Sequence, residues 1–189
     1  VEIIISSRPL VQIIEPIANE IFNENGRVDF QAQVSDVQDP PQDLLISWSS
    51  SIDGIFSSQS ATSNGTAIAN TYLLTPGTHN IELTASDTDG YSSTDQVTIQ
   101  INALPTTPVI SLNPNPSTSS DDLSVNLDIP SVDPEGDTIT YSYQWTKNTQ
   151  PTTHSSSSIP FSDTTRGDVW EVYVTPNDGY GDGTMVTAS

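Results

Sequence analysis

Apolar and polar residues alternate along much of the chain, in short runs. Val28, Phe30, Ala32 and Val34 fall on one side of an extended segment, as do Ile81, Leu83 and Ala85 and then Val97, Ile99 and Ile101. A period of two marks a strand with one face buried. No stretch carries a convincing helical period, and Pro and Gly break the runs at frequent intervals. The pattern predicts an all-β chain.

The runs also recur in a fixed order. In the first copy the strand at Val28 leads to an acidic turn, "DPPQD" (Asp39 to Asp43), then to a strand ending in Trp48, and later to "TPGTHNIELTASDTDG" and "VTIQINALP". In the second copy Leu123, Val125, Leu127 and Ile129 alternate before "DPEGD" (Asp133 to Asp137). Ile139, Tyr141 and Tyr143 then run to Trp145, and "RGDVWEVYVTPNDG" puts Trp170, Val172 and Val174 on one face. The D-P-x-x-D turn, the Trp and the later D-G turn are three landmarks in the same order, which is an internal repeat. About seven short strands per copy predict two tandem immunoglobulin-like β-sandwiches, each with a Trp in the place of the buried core Trp. The first spans 10–102 and the second 103–189, with "INALPTTP" (Ile101 to Pro108) as a Pro-rich linker.

These residues carry a resemblance. "TPGTHNIELTASDTDGYSSTDQVTIQI" resembles the closing half of PKD-type, immunoglobulin-like domains of bacterial and archaeal surface proteins. "SVDPEGDTITYSYQW" resembles the same class and also the cadherin-like modules of microbial adhesins. The resemblance implies a stalk, spacer or binding appendage outside the cell.

Residues 1–9, "VEIIISSRP", align without a gap on "VTIQINALP", Val97 to Pro105, with Val1, Ile3 and Ile5 on its apolar positions. The second copy stops soon after its D-G turn, so the sequence reading gives it no last strand. An open groove and an unpaired edge are costly. Val1, Ile3, Ile4 and Ile5 are therefore expected to fill the groove of a neighbouring unit near Met185, Val186, Trp170 and Val172. The neighbour is either a separate chain or the next period of a longer polypeptide, and both arrangements propagate head to tail. The alternative is an extra edge strand within the first sandwich.

Charge narrows the partners. Lys and Arg total 4 against 24 Asp and Glu, a formal net charge of −20. Such a chain repels nucleic acid and anionic lipid, and no apolar run is long enough to span a bilayer. Cys is absent, so packing alone must hold the cores. The acids concentrate in turns expected at one end of each sandwich: Asp36, Asp39, Asp43, Asp87 and Asp89 in the first, and Asp133, Glu135, Asp137, Asp178 and Asp182 in the second. Oxygen ligands gathered from two loops suit Ca²⁺, although D-G and D-P pairs also form turns unaided. The cadherin-like resemblance implies that such an ion would stiffen a joint.

Catalytic chemistry finds little support. His79 reads as a turn or edge residue and His154 as part of a loop, the turn acids read as solvated, and no nucleophile elbow is present. Asn64, in "NGT", is a glycosylation acceptor in a polar loop, and Tyr91, Tyr173 and Tyr180 could stack on sugars. The sequence thus predicts a non-enzymatic extracellular unit of a fibre or stalk that binds copies of itself and displays or contacts glycans. The alternative is a carbohydrate-binding or spacer module of a secreted hydrolase or adhesin.

Overall fold

The computed structural model describes residues 7–114 and 120–189. It divides into two compact units, Val1–Asn102 and Ala103–Ser189. Both are all-β. Val1, Ile3, Ile4 and Ile5, expected to form an inter-subunit strand, lie outside the described residues.

The first unit contains β1 (Leu10–Glu15), β2 (Ile21–Asn23), β3 (Val28–Ser35), β4 (Leu45–Ser50), β5 (Gly54–Ser57), β6 (Thr66–Thr71), β7 (Gly77–Ser86) and β8 (Ser92–Asn102). One sheet runs β1-β3-β6 and the other β2-β8-β7-β4-β5. Alternation is strict on β3, where Val28, Phe30, Ala32 and Val34 are buried and the residues between them are not. These side chains meet Ile46 and Trp48 of β4, Ile81, Leu83 and Ala85 of β7, and Val97, Ile99 and Ile101 of β8 in one core. Phe30 lies 5.4 Å from the Trp48 ring and 4.9 Å from Phe56, so tilted aromatics bridge the two sheets.

The second unit contains β9 (Val109–Asn113), β10 (Leu123–Ile129), β11 (Thr140–Lys147), β12 (Gln150–Pro151), β13 (Ser158–Ile159), β14 (Trp170–Asn177) and β15 (Val186–Ala188). Its sheets are β13-β10-β9 and β12-β11-β14-β15. Trp145 is fully buried and meets Trp170 edge to face at 6.2 Å, and its indole N–H donates to the Ser156 carbonyl (2.9 Å). Ile129, expected on the core face, is instead 60% exposed. The β10–β9 register shifts between Leu127 and Ile129, and such a bulge breaks the period of two.

Candidate functional sites: an open sheet edge and buried carboxylates in the turns

The last strand differs most between the units. In the first, β8 has 11 residues and pairs with β7 from Gly77 to Ser86. In the second, β14 pairs with β11 along all 8 of its residues, but on its other side only Val172, Tyr173 and Val174 meet β15. Val186 therefore does not line an empty slot as the sequence reading expects; it occupies the first part of it, with Val186 and Ala188 packed on the core. Matching the D-G-Y turns at Tyr91 and Tyr180 sets Val186 on Val97 and Ala188 on Ile99, the positions that the alignment of residues 1–9 gives to Val1 and Ile3, and leaves only Ile101 of the three without a counterpart. Beside Ser189 a cleft of about 260 Å³ opens onto Leu112, Leu123 and Trp170. Met185 is half exposed, whereas Trp170 and Val172 are buried.

The acidic turns are less solvated than the sequence suggests. Asp87, Asp133 and Asp178 are only 4%, 6% and 5% exposed. Turn geometry explains this, because each carboxylate folds back over its own backbone. Asp133 Oδ1 accepts from the N–H groups of Glu135 and Asp137 (both 3.0 Å), and Asp178 Oδ1 accepts from Tyr180 and Gly181 (both 2.7 Å). Asp36 Oδ1 accepts from Gln38 and Asp39, Asp87 Oδ1 from Tyr91, and Asp182 from the Asn177 amide. Asp39 bridges two loops by accepting from the Thr88 hydroxyl (2.9 Å) and N–H (3.3 Å). Glu135 accepts weakly from the Ala103 N–H at 3.4 Å, while Asp43 and Asp89 are exposed and Asp137 is half-buried. The second oxygens of Asp36, Asp87 and Asp133 are buried without a hydrogen-bond partner. Among the described residues no three Asp, Glu or His side chains gather closely enough to hold a metal by themselves.

His79 is not an edge residue but fully buried. It continues the alternation of Ile81, Leu83 and Ala85 one step earlier, a signal that could have placed it in the interior. Its Nε2 donates to the Thr75 carbonyl (2.6 Å), and its Nδ1 is 2.7 Å from the Ser50 hydroxyl. That hydroxyl accepts the N–H groups of Ile52 and Asp53, while Asp53 accepts the N–H and hydroxyl of Thr75. Every polar group in this Ser-His-Asp set is engaged in tying the β4–β5 turn to the loop before β7. It is a clamp whose hydroxyl and imidazole are buried, unlike a nucleophile poised at a surface.

His154 meets Trp170 edge-on (5.9 Å) and lies 3.4 Å from Asp163. Lys147 spans Asp168 (2.8 Å) and the Trp170 ring (5.3 Å). The Lys147 hydrogen bond is the main cause of the lowered Asp168 pKa. Asn64 is exposed in the turn before β6, and its Oδ1 accepts the Thr66 N–H.

Two sheets packed face to face around a buried Trp, antiparallel throughout except where β2 joins β8 in parallel, define an immunoglobulin-like β-sandwich in both units. Residues 15–101, nearly all of the first unit, match the PKD domain family. Among solved structures, the N-terminal eight immunoglobulin domains of the Down Syndrome Cell Adhesion Molecule align with a TM-score of 0.54 at 16% identity, over 96% of this chain and 27% of that one. The fibronectin(III)-like modules of Clostridium thermocellum CbhA align with a TM-score of 0.43 at 16% identity, over 95% of this chain and 92% of that one. A Bacteroides ovatus glucan-utilisation protein, SGBP-B, solved with a mixed-linkage heptasaccharide, aligns with a TM-score of 0.38 at 12% identity, over 97% and 48%. No curated protein matches by sequence. Among the described residues, no helix is long and apolar enough to cross a membrane.

Proposed function

We propose that the chain is a non-catalytic extracellular spacer, with immunoglobulin-like units following one another head to tail in a stalk or fibre. In this reading the open edge of β14 is completed by a strand with the sequence of Val1 to Ile5. The carrying observation is the short β15 beside a cleft of mixed polarity, lined by Leu112, Leu123 and Trp170 and also by Asp168, at the position that Ile101 fills in the first unit. Phase supports it as well. Val186 and Ala188 face the core, and Val1, Ile3 and Ile5 placed directly after Ser189 would continue that alternation unbroken. The strand comes from the next period of a longer polypeptide or from a second chain, and in both cases main-chain hydrogen bonds hold it while alternate side chains enter the cleft.

The test adds the peptide VEIIISSRP to the chain lacking residues 1–7 and follows melting and size. A raised melting temperature of the second unit is expected, with no rise from a peptide in which Ile3 and Ile5 are replaced by Asp. An unchanged midpoint overturns the reading. Long particles by electron microscopy of the intact chain assign the strand to a separate copy, and monomers stabilised by the peptide assign it to a tandem array.

A cation at the acidic turns belongs to the same proposal. Its support is the buried, unpartnered Oδ2 of Asp36, Asp87 and Asp133, because a carboxylate oxygen withdrawn from water needs a compensating positive partner. Calcium is expected to raise the melting midpoint and chelator to lower it; equal midpoints remove the ion from the reading.

A further inference from the structure

The outer face of the β12-β11-β14-β15 sheet carries a second cleft, of about 500 Å³, within the range of small-ligand sites. Tyr173 and Gln144 are register partners on β14 and β11 and therefore stand side by side, away from the core; Thr146 follows on the same face of β11. Pro151 to Ser155 form one wall and Met185 part of the other. The Tyr173 hydroxyl donates to Glu171 Oε2 (2.8 Å), which fixes the ring before any ligand arrives. The same bond, ahead of burial, raises the Tyr173 pKa, so the phenol stays protonated.

The charge of this cleft is unlike that of the chain. With 24 Asp and Glu and 4 Lys and Arg in the sequence, the cleft is lined by none of them. It offers aromatic rings, a thioether, a carboxamide, several hydroxyls and the imidazole of His154, which lies 3.4 Å from Asp163. An ionic ligand would find no Lys, Arg, Asp or Glu in the lining to pair with, and a purely apolar one would strand the amide and hydroxyls without partners. A ligand that is neutral, hydroxyl-rich and apolar on one face satisfies all of these groups. We propose that this cleft binds a neutral saccharide, with Tyr173 stacking on a pyranose face and Gln144 and Thr146 hydrogen-bonding its hydroxyls. The site lies within the second unit and is independent of strand addition.

The test presents the full chain to an array of neutral, sialylated and sulfated oligosaccharides, then titrates the best neutral one by calorimetry. Retention of neutral glycans is expected, weakened at least tenfold by Tyr173→Ala and severalfold by Gln144→Ala, and unaffected by Tyr72→Ala, an exposed ring in the other unit. Gln144 is exposed, so its variant reports on binding even if Tyr173→Ala unfolds the sheet. Failure to retain any neutral glycan, retention of charged glycans alone, capture of a Pro-rich peptide in place of sugar, or binding that survives both substitutions with the fold intact would each overturn the proposal.

Discussion

At the scale of single residues, His79 and Asp168 show how a polar side chain in a β-sandwich serves as a fastener. Replacing His79 with Ala opens a cavity and leaves the Ser50 O–H without its acceptor and the Thr75 carbonyl without its imidazole donor. A loss of about 2–4 kcal/mol in the first unit is expected by urea unfolding, and a smaller loss for Ser50→Ala. Asp168 predicts an acid response. Its pKa is lowered in the folded state by Lys147, so the stability it contributes is present above the ordinary Asp value of about 4 and disappears as pH falls through the lowered value. Asp168→Asn should therefore flatten the acid limb of the second unit's melting profile; an unaltered limb would show that the pair contributes nothing. Gly65 is sensitive for a backbone reason. It has φ +86°, and an added Cβ would collide with the Val34 carbonyl, so Gly65→Ala should destabilise the first unit by about 1–3 kcal/mol in the same urea assay.

At the scale of elements, what sequence could reveal follows from how local each signal is. The alternations of β3, β7 and β8 and the two Trp strands were legible because one buried face imposes a period of two on contiguous residues. β2 left no such trace. It has three residues and pairs in parallel with β8 at Ile101, so its existence depends on a distant partner. β13 is equally hidden, since "THSSSSIP" reads as loop, yet Ile159 is fully buried opposite Leu123. Asp87, Asp133 and Asp178 were found by type but misjudged in burial, because a side chain that folds onto its own backbone looks like any solvated turn acid in a string of letters. The Tyr173 cleft needed register: only pairing sets Gln144 beside it.

At the scale of the whole molecule, the two cores differ in extent. Among the described residues, 17 buried apolar side chains form the first core and 6 the second, the latter supplemented by half-buried Tyr141, Tyr143 and Val186. Stability rises with apolar area withdrawn from water, so calorimetry should resolve two transitions, with the second unit melting first. A single transition, or loss of the first unit before the second, would contradict this ordering.

The scarcity of cations has a consequence for resistance to proteolysis. Trypsin-like proteases cut after Lys or Arg, and this chain offers four such bonds. Arg8 precedes Pro9, a poor scissile bond; Arg27 leads straight into the buried β3 strand, and Lys147 is held by Asp168 and Trp170. Arg166 is exposed in a loop and is followed by neither Pro nor a buried strand. Native digestion should thus nick the chain once, after Arg166, and stop, leaving a molecule persistent in protease-rich surroundings.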